Sequence, residues 1–69
     1  MIYVFKTSVR TKSQVRQLKP HINKILPNEK WNFDLHDCDN ILRIVSKEDI
    51  VGKITGLLKI HRFYCEELE

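Results

Sequence analysis

A chain of 69 residues, 42% hydrophobic and 30% charged, allows one domain with a small core and excludes multidomain, fibrous and low-complexity architectures. Its apolar runs fall far short of the roughly 20 residues of a membrane-spanning helix, and Met1-Ile-Tyr-Val-Phe-Lys lacks the basic start and long apolar centre of a signal peptide. The net charge of +3 is unevenly spread: residues 1–28 hold six bases and no acid, residues 29–69 six bases and nine acids.

The first segment, Ile2-Tyr-Val-Phe, is β-branched or aromatic throughout and predicts a strand. Thr11 or Ser13 can cap a helix in which Val15, Leu18, Ile22 and Ile25 recur at spacings of three, four and three, forming one apolar stripe. Pro20 lies inside that helix and removes a hydrogen bond to residue 16, so a bend is expected there; Pro27-Asn28 ends it. Trp31, Phe33 and Leu35 alternate with Asn32, Asp34 and His36, the period of a strand with one buried face. Asp37-Cys-Asp-Asn40 is turn chemistry, and Ile41-Leu-Arg-Ile-Val45 completes a hairpin.

Ser46-Lys-Glu-Asp49 places a capping hydroxyl three residues before an acid, and Ile50, Ile54, Leu57 and Leu58 mark the apolar stripe of a second helix. Phe63-Tyr-Cys-Glu predicts a short closing strand, in which Cys65 acts as a small buried hydrophobe. The final Leu68-Glu69 has the form of a cloning remnant. The order βαββαβ over residues 1–69 predicts one α+β domain, a ferredoxin-like sandwich with two helices on one face of a four-stranded antiparallel sheet. Its expected core is Val15, Leu18, Ile22, Trp31, Phe33, Leu35, Leu42, Ile44, Ile54, Leu57 and Leu58. This topology brings three loops to one end: Thr7 to Lys12, His36 to Asn40, and His61 to Phe63. Any functional site is expected there.

Lys6-Thr7-Ser8-Val9-Arg10-Thr11 leads from the first strand into the first helix, and His61-Arg62-Phe63 leads into the last strand. In order, length and these two junctions the chain resembles a heavy-metal-associated domain, the βαββαβ module of copper chaperones and metal-transport ATPases. That family carries Met-Thr-Cys-x-x-Cys at the first junction and a Gly-Tyr strand at the second. Thr7 matches; Ser8 and Thr11 stand where the cysteines would be, and Arg62 replaces the glycine. The resemblance implies a degenerate metal loop, Thr7, Ser8, Val9, Arg10 and Thr11. Hydroxyls cannot replace thiolates for soft Cu(I), so copper transfer does not carry over. The cytoplasm is the expected location, with Cys38 and Cys65 as reduced thiols.

Three functional readings follow. The first is a non-catalytic interaction module, a monomer or weak homodimer, that docks an acidic protein partner. Lys12, Arg16 and Lys19, with Asn23, form a stripe on the first helix opposite its apolar stripe, and Arg10 precedes them. Basic faces of chaperones in the resembling family dock acidic partner domains. The second is a zinc site of His36, Cys38 and His61, completed by Asp37 or Asp39, since one thiolate with two imidazoles suits that ion. The third is RNA stacked on Tyr3 and Phe5 beside Asn32 and Arg43 across the open sheet face; the third strand, however, lacks the rings that such modules use. No cofactor is expected outside the zinc reading. Catalysis is not expected, because Ser8 and Ser13 have no histidine at fixed spacing and the clustered Asp34, Asp37 and Asp39 fit a turn. Gly52 and Gly56 share the side of the second helix away from its apolar stripe, where close approach of another chain is conceivable.

Overall fold

The computed structural model describes residues 1–36 and 38–68. Six elements follow in the expected order: β1 (Ile2–Thr7), α1 (Lys12–Ile25), β2 (Lys30–Asp34), β3 (Ile41–Val45), α2 (Val51–Ile60) and β4 (Cys65–Leu68). The strands form one antiparallel sheet in the order β2-β3-β1-β4, an α+β fold consistent with a ferredoxin-like arrangement. β1 and β3 are central, so β2 and β4 are the edges.

The core follows from strand parity. Tyr3 pairs with Ile44 and Phe5 with Leu42, and all four side chains are buried against Leu18 and Ile22 of α1 and Ile54 and Leu58 of α2. Burying a large apolar side chain stabilises by about 1.5–3 kcal/mol, and no chain of this size has many to spare. The alternative RNA reading places Tyr3 and Phe5 on the open face for base stacking. They lie inside the core instead, because the Ile2, Val4, Lys6 set takes the other face of the pleat. Val9, Leu26 and Ile50 also join the core, whereas Val15, Trp31, Phe33, Leu35 and Leu57 are only partly buried at its margin.

The elements differ from expectation mainly at their ends. α1 runs without interruption through Pro20 and closes at Leu26, whose N–H donates to the Ile22 carbonyl at 2.8 Å. β2 stops at Asp34, where the carboxylate accepts the His36 N–H at 3.1 Å and turns the chain. Ser46 does not cap α2. Its hydroxyl accepts the Glu48 N–H, and Asp49 accepts the Val51 N–H, one residue before Ile50 at the cap position. β4 begins at Cys65 rather than Phe63 because residues 61–64 are needed to leave the helix.

Candidate functional site

The three loops do meet, and the Thr7–Thr11 segment is the joint between them. Thr7 is buried; its N–H donates to the Asp39 carbonyl at 3.3 Å and its hydroxyl to the Asn40 carbonyl at 2.7 Å. The same hydroxyl oxygen accepts the Val9 N–H at 3.2 Å, which turns the Val9 side chain into the core. Ser8 donates its N–H to the Tyr64 carbonyl and accepts the Tyr64 N–H on Oγ. Thr11 is the N-cap of α1. Its Oγ1 accepts the Gln14 N–H at 3.1 Å, while Gln14 Oε1 accepts the N–H groups of Arg10 and Thr11 at 2.7 and 3.3 Å. This is a complete capping box. All three hydroxyls of the loop are thus engaged in main-chain bonds that fix the ends of β1, α1 and β4.

The exit from α2 is equally defined. His61 is the C-cap, and Arg62 takes φ +67°, the left-handed region that favours glycine. Arg62 N–H donates to the Lys59 carbonyl at 3.0 Å and Phe63 N–H to the Leu58 carbonyl at 2.8 Å. These two bonds make a Schellman motif, and Phe63 packs against the core.

A wide concave surface lies along the side of the molecule. A groove of about 900 Å³ runs between α1 and the edge strand β2. Lys12, Arg16, Lys19 and Asn23 form its helical wall, and Val15, Trp31, Phe33 and Leu35 its apolar floor. Lys30, Arg43 and His36 stand around the β2 side with the acids Glu29 and Asp34. Trp31 is held firmly: its indole N–H donates to Asn23 Oδ1 at 3.0 Å, and its ring meets Phe33 edge-on at 5.9 Å. Asp34 is paired with Arg43 at 3.6 Å in a partly exposed contact, so it offsets one base only.

The basic stripe therefore flanks the apolar stripe instead of opposing it. At 100° per residue the two are centred about 110° apart, which tips the lysines and Arg16 over the groove. Arg10 is exposed before the helix and is not among the groove residues. The helical periodicity carried this signal. What it lacked was the position of β2, which converts Trp31 and Phe33 from core residues into a floor and adds Lys30 and Arg43.

The zinc trio is not gathered. The His61 ring lies against His21, centroids 4.4 Å apart, whereas His36 borders the groove. Among the described residues no three His, Cys, Asp or Glu side chains are grouped to hold a metal; Asp37, the suggested fourth ligand, lies outside the described residues. Cys38 is exposed and Cys65 half-buried, both as free thiols, and burial pushes Cys65 up to about 11. Gly52 and Gly56 line a second hollow with Thr55, Lys59, Phe63, Tyr64 and Cys65. A methyl group at either glycine would meet nothing within 4 Å, so packing within the chain demands neither. No described helix is long and apolar enough to cross a membrane.

Comparison with protein-family models, with curated proteins and with solved structures found no match.

Proposed function

We propose that this domain is a non-catalytic interaction module that docks an acidic protein partner in the groove between α1 and β2. The observation that carries the reading is the lining: Lys12, Arg16 and Lys19 on the α1 wall over the partly buried floor of Trp31 and Phe33, with Lys30 and Arg43 at the margin on the other face of β2. Five bases and two acids line it, and the α1 wall carries bases alone. A rim of one charge around aromatic anchors favours a partner of the opposite charge, steering its approach while apolar contact in the middle slows its release. The groove is open along its length and suits an extended surface better than an enclosed small molecule.

The likeness to heavy-metal-associated domains belongs to this proposal too. It is supported by the element order, by the position of Thr7 at the end of β1, and by the left-handed Arg62 where that family has glycine. The hydroxyl-for-thiol exchange at Ser8 and Thr11 fits a module in which the metal loop has become a structural joint and binding has moved to the groove.

A pull-down from native extract, with the wild type and with Lys12, Arg16 and Lys19 all changed to Glu, tests the reading. Capture of an acidic protein that weakens with added salt and disappears with the triple change is the expected result. Equal capture by both proteins rules the basic groove out, and recovery of RNA in place of protein replaces the proposal.

A further inference from the structure

The hydrogen-bond phase of the sheet determines what the edge strand offers. Ser46 N–H donates to the Met1 carbonyl at 2.9 Å, and the Met1 amine donates back to the Ser46 carbonyl at 2.8 Å. Met1 and Ser46 continue the β1–β3 register, in which Tyr3 faces Ile44 and Phe5 faces Leu42. Antiparallel ladders alternate between bonded and non-bonded pairs, so Leu42, Ile44 and Ser46 direct their main-chain groups at β1. Ile41, Arg43 and Val45 then direct theirs at β2, to Asp34, Asn32 and Lys30. The N–H and C=O groups of Trp31 and Phe33 consequently point away from the sheet, on a strand whose outer side has no neighbour in the sheet.

The side chains of Trp31 and Phe33 point to the α1 side, under the basic wall. A strand added to this edge would place alternate side chains on that same side, about 6.6 Å apart. Along α1, Lys12 to Arg16 advances about 6 Å and Arg16 to Lys19 about 4.5 Å, at 1.5 Å per residue. Long basic side chains reach across that small mismatch. We infer that the groove takes an extended acidic segment of its partner as an additional β-strand on β2, bonded to the main chain of Trp31 and Phe33, with alternate Asp or Glu side chains on Lys12, Arg16 and Lys19. The inference rests on the docking reading above and specifies how the partner is held. Strand addition supplies affinity through the main chain, and alternate side chains supply selectivity.

The probe is a capped peptide of about seven residues alternating glutamate and valine, the length of one strand. Hydrogen exchange followed by NMR should show the Trp31 and Phe33 amides slowed about 10-fold or more at saturating peptide, as new main-chain bonds require. N-methylation of one alternate set of peptide amides should lower affinity about 10-fold, and methylation of the other set should not. A lysine–valine peptide should bind the Lys12→Glu, Arg16→Glu, Lys19→Glu protein in place of the acidic one.

Salt-sensitive binding without protection at Trp31 and Phe33, and indifferent to N-methylation, overturns strand addition and leaves the docking reading standing. Protection that survives the triple charge reversal shows that the acidic side chains do not sit on Lys12, Arg16 and Lys19, and overturns both the inference and the docking reading. No binding at millimolar peptide overturns the inference, while the pull-down judges its parent separately. Protection that grows with protein concentration in the absence of peptide assigns the edge to a second copy of this chain, and the inference falls.

Discussion

Ser8 and Tyr64, 56 positions apart in the chain, exchange two hydrogen bonds: Ser8 N–H to the Tyr64 carbonyl at 3.2 Å, and Tyr64 N–H to Ser8 Oγ at 2.8 Å. The pair joins the end of β1 to the start of β4. Ser8→Ala removes the acceptor for Tyr64 N–H and should lower stability by about 1 kcal/mol in denaturant titration, the net worth of a partly solvated bond. The same substitution should leave Cu(I) affinity unchanged in a chelator competition, since the hydroxyl is no copper ligand. A Cu(I) affinity that fell with Ser8→Ala would reverse the assignment of this loop.

Arg62 offers a test of opposite sign. Its φ of +67° costs a residue with a Cβ about 1–2 kcal/mol, and glycine avoids that cost while losing about 0.5–1 kcal/mol to its freer unfolded state. Arg62→Gly should therefore stabilise the domain by up to about 1.5 kcal/mol, seen as a higher melting temperature. Arg62→Ala keeps the Cβ and should give no such gain.

Much of this fold was legible in the sequence because its signals are local. Thr11, one of the two caps the sequence offers, is the N-cap of α1, the apolar spacing from Val15 to Ile25 marks that helix, and Trp31 to Leu35 alternates with period two. Two kinds of information were not local. Ile2-Tyr-Val-Phe is apolar at every position, so the sequence carries no period to say which pair faces the helices; Tyr3 and Phe5 were resolved only by the β3 register. Ser46 had the spacing of a capping residue, but Ile50 is drawn into the core and moves the helix start beyond its reach. The candidate site divides in the same way. Lys12, Arg16 and Lys19 were visible as a stripe, whereas Lys30, Arg43 and the open edge of β2 depend on strand order.

The two thiols should separate by reactivity. Cys38 is exposed, while burial raises Cys65 from 9.0 to about 11, so an alkylating reagent at mildly alkaline pH should modify Cys38 first by mass spectrometry. The linkage has a definite sign. Between pH 9 and about 11 the unfolded thiol loses its proton while the folded one retains it, so the unfolded state binds fewer protons and stability falls as pH rises. The half-exposed setting makes the effect small. Cys65→Ala should flatten that part of the stability profile, and an unchanged slope would mean that another group causes it.

Asn23 separates binding from folding. It lies on the exposed side of α1 and accepts the Trp31 indole N–H at 3.0 Å, tying the wall of the groove to its floor. Because the bond is solvent-exposed, Asn23→Ala should cost stability no more than about 1 kcal/mol, and alanine's better helix propensity recovers part of that. The loss for binding should be larger. A released Trp31 gains rotamers that a partner must then freeze, at about 0.5–1.5 kcal/mol for one side chain, and the same indole forms the floor that the partner covers. Affinity for an acidic partner should fall about 3- to 10-fold, mostly through faster dissociation, with little change in its salt dependence because no charge is altered. Lys19→Ala should show the reverse: slower association and a shallower salt slope with little change in dissociation. Asn23→Ala with unaltered affinity would place the partner elsewhere than over Trp31.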